Sequence, residues 1–157
     1  MRSLRLFTFY YLPLIVWMMV IFSMSTGAGS SGHSIHIISI VLQRISPSLL
    51  ASLTPFQLDA LNFGLRKLAH ISEYMVLMLL SVRAFQYGRS ELHWRCFWGA
   101  LGLSMLFAAS DELHQVFTPG RTPAIRDVLI DSTGAAFCFL LLLGHFILKS
   151  IERKLQK

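Results

Sequence analysis

The chain has 157 residues, 54% of them hydrophobic and only 14% charged, with a formal net charge of +6. A soluble domain carries charge on about a quarter of its residues, so this composition excludes an ordinary soluble domain and fits a membrane protein. The Lys and Arg residues sit between apolar runs and at the termini, where they act as topology signals, and no nucleic-acid partner is expected. A spanning helix needs about 20 apolar residues, which leaves room for a few spans in one membrane domain over residues 1–157. Cys96 and Cys138 lie inside apolar runs without CxxC spacing, and are expected as buried free thiols.

Residues 1–5 are basic and residues 6–22 almost wholly apolar. A cleaved signal peptide is the competing reading, with Thr26-Gly27-Ala28 as a passable cleavage site. The run exceeds a typical signal core of about 7–15 residues, and it carries Tyr10, Tyr11 and Trp17. A retained first span over residues 6–24 is favoured, kinked at Pro13. Residues 25–34 are Ser- and Gly-rich and read as a loop. Ile35, Ile38, Val41, Leu42 and Ile45 then recur at helical spacing, which predicts a short amphipathic helix at the interface, ended by Pro47.

Thr54-Pro55-Phe56-Gln57 has the form of a helix start, with Thr54 and Gln57 able to close a capping box. That helix is predicted to run through Leu58, Leu61 and Leu65 and to enter the bilayer near Lys67, giving a second span over residues 67–85. Spans over residues 95–115 and 124–148 follow, separated by a turn at Thr118-Pro119-Gly120-Arg121. The expected fold is an all-α membrane protein with about four transmembrane helices and one interfacial helix between the first two.

In a four-span chain Arg2, Arg5, Arg83, Arg89, Arg95 and the basic residues of 149–157 fall on one side, and Arg44, Arg66, Lys67, Arg121 and Arg126 on the other. The second set is spread over longer connections, so both termini are expected in the cytoplasm. Three polar stretches then meet at the outer face: His70 with Glu73, residues 111–115, and residues 127–131.

Helical phase sharpens this. Lys67, His70, Glu73 or Tyr74, Leu77 and Ser81 form one stripe. Ala100, Ser104, Ala108, Asp111 and Gln115 form a second, and Asp127, Asp131, Ala135 and Cys138 a third. Small residues at every fourth position allow close helix approach. An ionised side chain facing lipid near the bilayer centre costs about 2.5–3.5 kcal/mol. Glu73, Asp111, Glu112, Asp127 and Asp131 are therefore expected to pair with one another, with Arg66, Lys67, Arg121 or Arg126, or with water.

His70-x-x-Glu73 and Asp111-x-x-His114 have the spacing of helical metal-ligand pairs. A divalent metal is thus one open reading, with Asp127 or Asp131 completing its shell and a bound water attacking an ester or phosphate. Without metal, His70 or His114 oriented by an acid can act as general base. A third reading is an ion-pair network that only fixes helix register, although apolar residues often replace such networks without loss. Arg121, presented by a Pro-Gly turn, suits a carboxylate or phosphate head group. His33, His36, His93 and His145 read as interface or packing residues, and Ser23 and Ser110 lack a nucleophile-elbow context.

Lys67-Leu68-Ala69-His70-Ile71-Ser72-Glu73-Tyr74, Ser110-Asp111-Glu112-Leu113-His114-Gln115, Pro119-Gly120-Arg121 and Asp127-x-x-x-Asp131-x-x-Gly134 together resemble the VanZ-like membrane proteins. The likeness runs over residues 66–143 and extends, more weakly, to Phe22-Ser23-Met24-Ser25. It implies that Lys67, His70, Glu73, Tyr74, Asp111, Glu112, His114, Gln115, Arg121, Asp127 and Asp131 are the functional positions. It also implies a cell-envelope role on the outer side of a bacterial inner (plasma) membrane, connected with susceptibility to glycopeptides such as teicoplanin. No established reaction comes with it.

Two functions stay open. One is a protein that binds membrane lipid, or a lipid-linked or cell-wall ligand, through Lys67, Tyr74, Glu112, Gln115, Arg121, Asp127 and Asp131. The other is a membrane-embedded hydrolase or transferase, with or without a divalent metal, using His70, Glu73, Asp111 and His114 on a lipid or cell-wall ester, amide or phosphate.

Overall fold

The computed structural model describes residues 2–26, 31–87, 89, 93–118 and 124–156. Among them the chain forms six helices and no strand: α1 (Arg2–Met24), α2 (Ser31–Ile45), α3 (Pro47–Ser52), α4 (Pro55–Gln86), α5 (Trp94–Val116) and α6 (Ile125–Leu155). Three of these, α1, α4 and α6, are long and apolar enough to cross a membrane. At 23 residues α5 matches α1 in length, but its last turns carry Asp111, Glu112, His114 and Gln115, and it is not among the three.

The local signals explain most of the helix ends. Thr54 and Gln57 close the capping box that starts α4, with Pro55 at the first helical position. At 32 residues, α4 is about 48 Å long, well beyond a hydrocarbon core of about 30 Å. Its first turns therefore have length to spare outside the core. The Ser/Gly-rich stretch is a shorter break than its composition indicates, because α2 already begins at Ser31. Helix α2 packs on α4, and tertiary packing of this kind is what stabilises most short helices. Pro47 ends α2 and at once opens α3. Helix α6 runs on through the basic tail, with Arg153 and Lys154 in its last turn, where the carbonyl end of a helix favours cations.

Cross-helix contacts fix the relative directions. Lys67 meets Asp127, and Ile71 meets Gly134, so α4 and α6 run parallel. Cys96 donates to the Phe85 carbonyl at one end of α5, while Asp111 comes near Glu73 at the other, so α5 runs antiparallel to α4. The Trp17 indole N–H donates to the Glu73 carbonyl at 3.0 Å, and Arg83 lies over the Phe9 ring at 4.3 Å, so α1 is also antiparallel to α4.

Two apolar clusters hold this bundle. One joins Met78 and Val82 of α4, Phe97 and Ala100 of α5, and Ala135, Cys138 and Phe139 of α6. The other joins Leu14 and Ile21 of α1, Tyr74 and Leu77 of α4, and Ala108 of α5. Cys96 and Cys138 are buried free thiols, as their apolar surroundings imply.

Helices α4 and α6 approach closely at Gly134. A Cβ there would collide with the Ile71 carbonyl oxygen and lie 3.0 Å from its carbon. The neighbour is backbone and cannot rotate away. We expect Gly134→Ala to push α6 off α4 and destabilise the protein by about 1–3 kcal/mol, read as a lower denaturation midpoint in detergent micelles. Gly102→Ala, with open space around it, is expected to leave that midpoint unchanged.

Candidate functional site

The stripes expected on α4, α5 and α6 are interior. On α5 the buried residues are Cys96, Phe97, Ala100, Ser104, Ala108, Asp111, Glu112 and Gln115. On α4 the line from Lys67 through His70 and Glu73 is half-buried, and Tyr74, Leu77 and Ser81 are fully enclosed. On α6 Asp131, Ala135 and Cys138 are buried, and Asp127 is half-buried one turn earlier.

Asp111 is the most enclosed of the acids, with no exposed surface. Ser25, one residue past the end of α1, donates its hydroxyl to Asp111 Oδ2 in a short hydrogen bond. Gln115 Nε2 donates to both Ser25 Oγ at 3.2 Å and Asp111 Oδ2 at 3.3 Å. A buried carboxylate left without donors costs several kcal/mol, so this trio ties α1 to α5.

Glu112 points to α6. Its Oε1 accepts a short hydrogen bond from the backbone N–H of Ala124, the residue that caps the start of α6. Glu112 thereby anchors the entry of α6 to the end of α5. Lys67 Nζ lies 2.6 Å from Asp127 Oδ1, and both side chains keep about a fifth to a third of their surface exposed (21% and 32%). Asp127 sits in the first turn of α6, where a negative charge also suits the helix dipole.

His70 stands between two carboxylates. Its Nδ1 is 3.7 Å from Glu73 Oε2 on its own helix and 3.5 Å from Asp131 Oδ1 across on α6. These separations are electrostatic contacts and are too long for strong hydrogen bonds. Tyr74 is wholly buried beside them. Its hydroxyl is within electrostatic reach of Asp111, Asp131, Glu73 and Glu112, and finds no hydrogen-bond partner among the described residues.

The site residues read from the sequence thus divide. Lys67, His70, Glu73, Tyr74, Asp111, Glu112, Gln115, Asp127 and Asp131 come together at one end of the bundle. His114 is placed otherwise: its ring stacks on Phe22 at 4.0 Å, with Nε2 buried and unpartnered among the described residues. Gln115, four residues after Asp111, lies closer to the same helix face than His114, three residues after it. Arg121 and the turn that presents it lie outside the described residues.

Of the other basic residues expected as counter-charges, Arg126 is exposed, and neither it nor Arg66 makes an ion pair among the described residues. No three His, Cys, Asp or Glu side chains among the described residues are arranged to hold a metal ion. Ser110 bonds back to the Phe107 carbonyl of its own helix.

Two participants were not among the site residues read from the sequence, although the weaker part of the likeness takes in Ser25. Ser25 falls in a stretch that reads as loop, yet Leu14, Ile21 and Ser25 continue one buried helical line at steps of seven and four. Trp17 reads only as part of an apolar run, and its indole N–H gives it a fixed place against α4.

Carboxylates and an imidazole enclosed between long apolar helices define an integral α-helical membrane protein with an internal polar site. The chain belongs to the VanZ/LLP1 family, which matches residues 7–149. That match takes in α1, which brings Ser25 and Trp17 to the site. No curated protein and no solved structure matches the chain.

Because Ser25 and Asp111 share one bond, their removal should not be additive. In a double-mutant cycle, Ser25→Ala and Asp111→Asn are expected to couple by about 0.5–3 kcal/mol, measured as unfolding in mixed micelles. Additive effects would place the two residues in separate environments.

Proposed function

We propose that this VanZ-family protein binds a lipid, or a lipid-linked or cell-wall ligand, in its polar site at the outer membrane face. Through that binding it affects envelope susceptibility to glycopeptides such as teicoplanin. The observation that carries the reading is the gathering of Glu73, Tyr74 and Asp131 from two helices with no hydrogen bond among them. A network that only set helix register would satisfy its own members.

Catalysis by these residues is the second reading, and His70 favours it, since an imidazole between two carboxylates can take up a proton. Binding fits better. His114 is turned to Phe22, and Ser25, which donates to an acid, meets a carboxylate that Gln115 also holds.

The same reading includes a fourth span. Helices α4 and α6 are parallel neighbours and both long enough to cross, so the chain between them must return across the bilayer. The 23 residues of α5 measure about 35 Å, which is sufficient. With four crossings the basic ends, including Arg5, Arg83, Arg95, Arg153 and Lys154, share one side. The positive-inside rule makes that side cytoplasmic and turns Asp111, His70 and Asp131 outward.

Mass spectrometry and elemental analysis of gently purified protein test the reading. A co-purified lipid without stoichiometric metal is the expected result, and stoichiometric divalent metal would favour the enzyme. Combining Glu73→Gln with Asp131→Asn is expected to lower lipid retention about tenfold, with membrane insertion unchanged. If Asp111→Asn, Glu73→Gln and His114→Ala together leave glycopeptide susceptibility as in the parent, the site has no role in it.

A further inference from the structure

The acids of the site are unequally committed. Asp127 holds Lys67 at 2.6 Å, Glu112 holds the backbone of Ala124, and Asp111 accepts from Ser25 and Gln115. Glu73 and Asp131 remain. Both face the edge of His70, at 3.7 and 3.5 Å, and neither accepts a hydrogen bond from a described residue.

Asp131 is only 3% exposed, so its carboxylate depends on whatever shares its enclosure. Tyr74 stands in the same space, wholly buried, with its hydroxyl unpartnered among the described residues. Oxygens of Glu73, Asp131 and Tyr74 thus lie within electrostatic reach of one another, and His70 Nδ1, which faces the two carboxylates, stands too far from either for a strong hydrogen bond. Lys67 is already engaged by Asp127, and Arg126 is exposed.

We propose that this space receives a primary ammonium group, whose three N–H donors go to the carboxylates of Glu73 and Asp131 and to the Tyr74 hydroxyl oxygen. The inference rests on the ligand-binding reading above and names the chemistry of the ligand's head. An ammonium has three donors and no acceptor, and its charge offsets that of carboxylates removed from water. A quaternary amine brings no N–H donor, and an acylated amine brings neither charge nor a full set of donors. An aminolipid head group and a lysine-type amine of a peptide both carry the required group.

Native mass spectrometry of the full-length protein in phosphatidylglycerol nanodiscs separates these sources. The probes are phosphatidylethanolamine and its N-acetyl derivative, and a short lysine-containing peptide with its ε-amine free or acetylated. Retention of at least one free amine is expected to exceed that of its acetylated form about tenfold, the difference made by one charged hydrogen bond. Preference for phosphatidylethanolamine identifies an aminolipid, and preference for the peptide identifies a cell-wall-type amine.

Asp131→Asn and the more exposed Glu73→Gln are each expected to abolish the preference, and Tyr74→Phe to reduce it several-fold. Equal retention of free and acetylated forms overturns the proposal. If that equal retention is still lost in Asp131→Asn, the binding reading stands and only the ammonium is wrong. If no probe is retained in a manner that depends on Asp131 or Glu73, both fall.

Discussion

The structure depends on one constraint: carboxylates placed between apolar helices must find donors or counter-charges inside the bundle. Asp111 states it most sharply, with no exposed surface and bonds to Ser25 and Gln115. To meet that need α1 must end beside the last turns of α5. Glu112, next in the chain, meets its own need by holding the start of α6. Lys67 with Asp127, and His70 with Asp131, then fix α4 against α6 in parallel register. Gly134 lets the two backbones close to the distance these contacts require. Polar groups set the geometry, and apolar packing by Met78, Phe97, Ala100 and Phe139 stabilises it.

The same constraint separates holding from binding. Asp111, Glu112 and Asp127 are met by partners from the chain itself, which gives them positioning roles. Glu73 and Asp131 face only the edge of His70, beyond strong hydrogen-bond distance, and the Tyr74 hydroxyl finds no hydrogen-bond partner among the described residues. Enclosed oxygens left in that condition are stable only with water or a ligand supplying what is missing. A site built in this way, at one end of the bundle, is the basis for reading the protein as a binder.

The bundle was largely legible in the sequence because membrane helices leave strong signals. The capping box at Thr54, the four-residue repeat of Ala100, Ser104 and Ala108, and the phase of Asp127 and Asp131 all appear as read. Helical period placed Gln115 on the inward stripe of α5, where it meets Asp111, whereas the Asp111-x-x-His114 spacing suggested a pair and His114 instead stacks on Phe22. The α1 contribution was hidden for a different reason. Ser25 lies in a Ser/Gly-rich context that reads as loop, and only the buried line through Leu14 and Ile21 assigns it to the interior. The start of α2 at Ser31 was illegible because Ser, Gly and His are weak local signals for a helix.

The central claim is that this polar end of the bundle faces away from the cytoplasm. The most direct measurement is labelling of single cysteines by a membrane-impermeant thiol reagent, after replacing the buried Cys96 and Cys138 with alanine. Phe117, 78% exposed just beyond the site, and Leu155, 82% exposed at the far end of α6, are the two positions to compare as cysteines. The account predicts that Phe117→Cys is labelled in intact cells, and Leu155→Cys only after the membrane is permeabilised. The reverse pattern would contradict it.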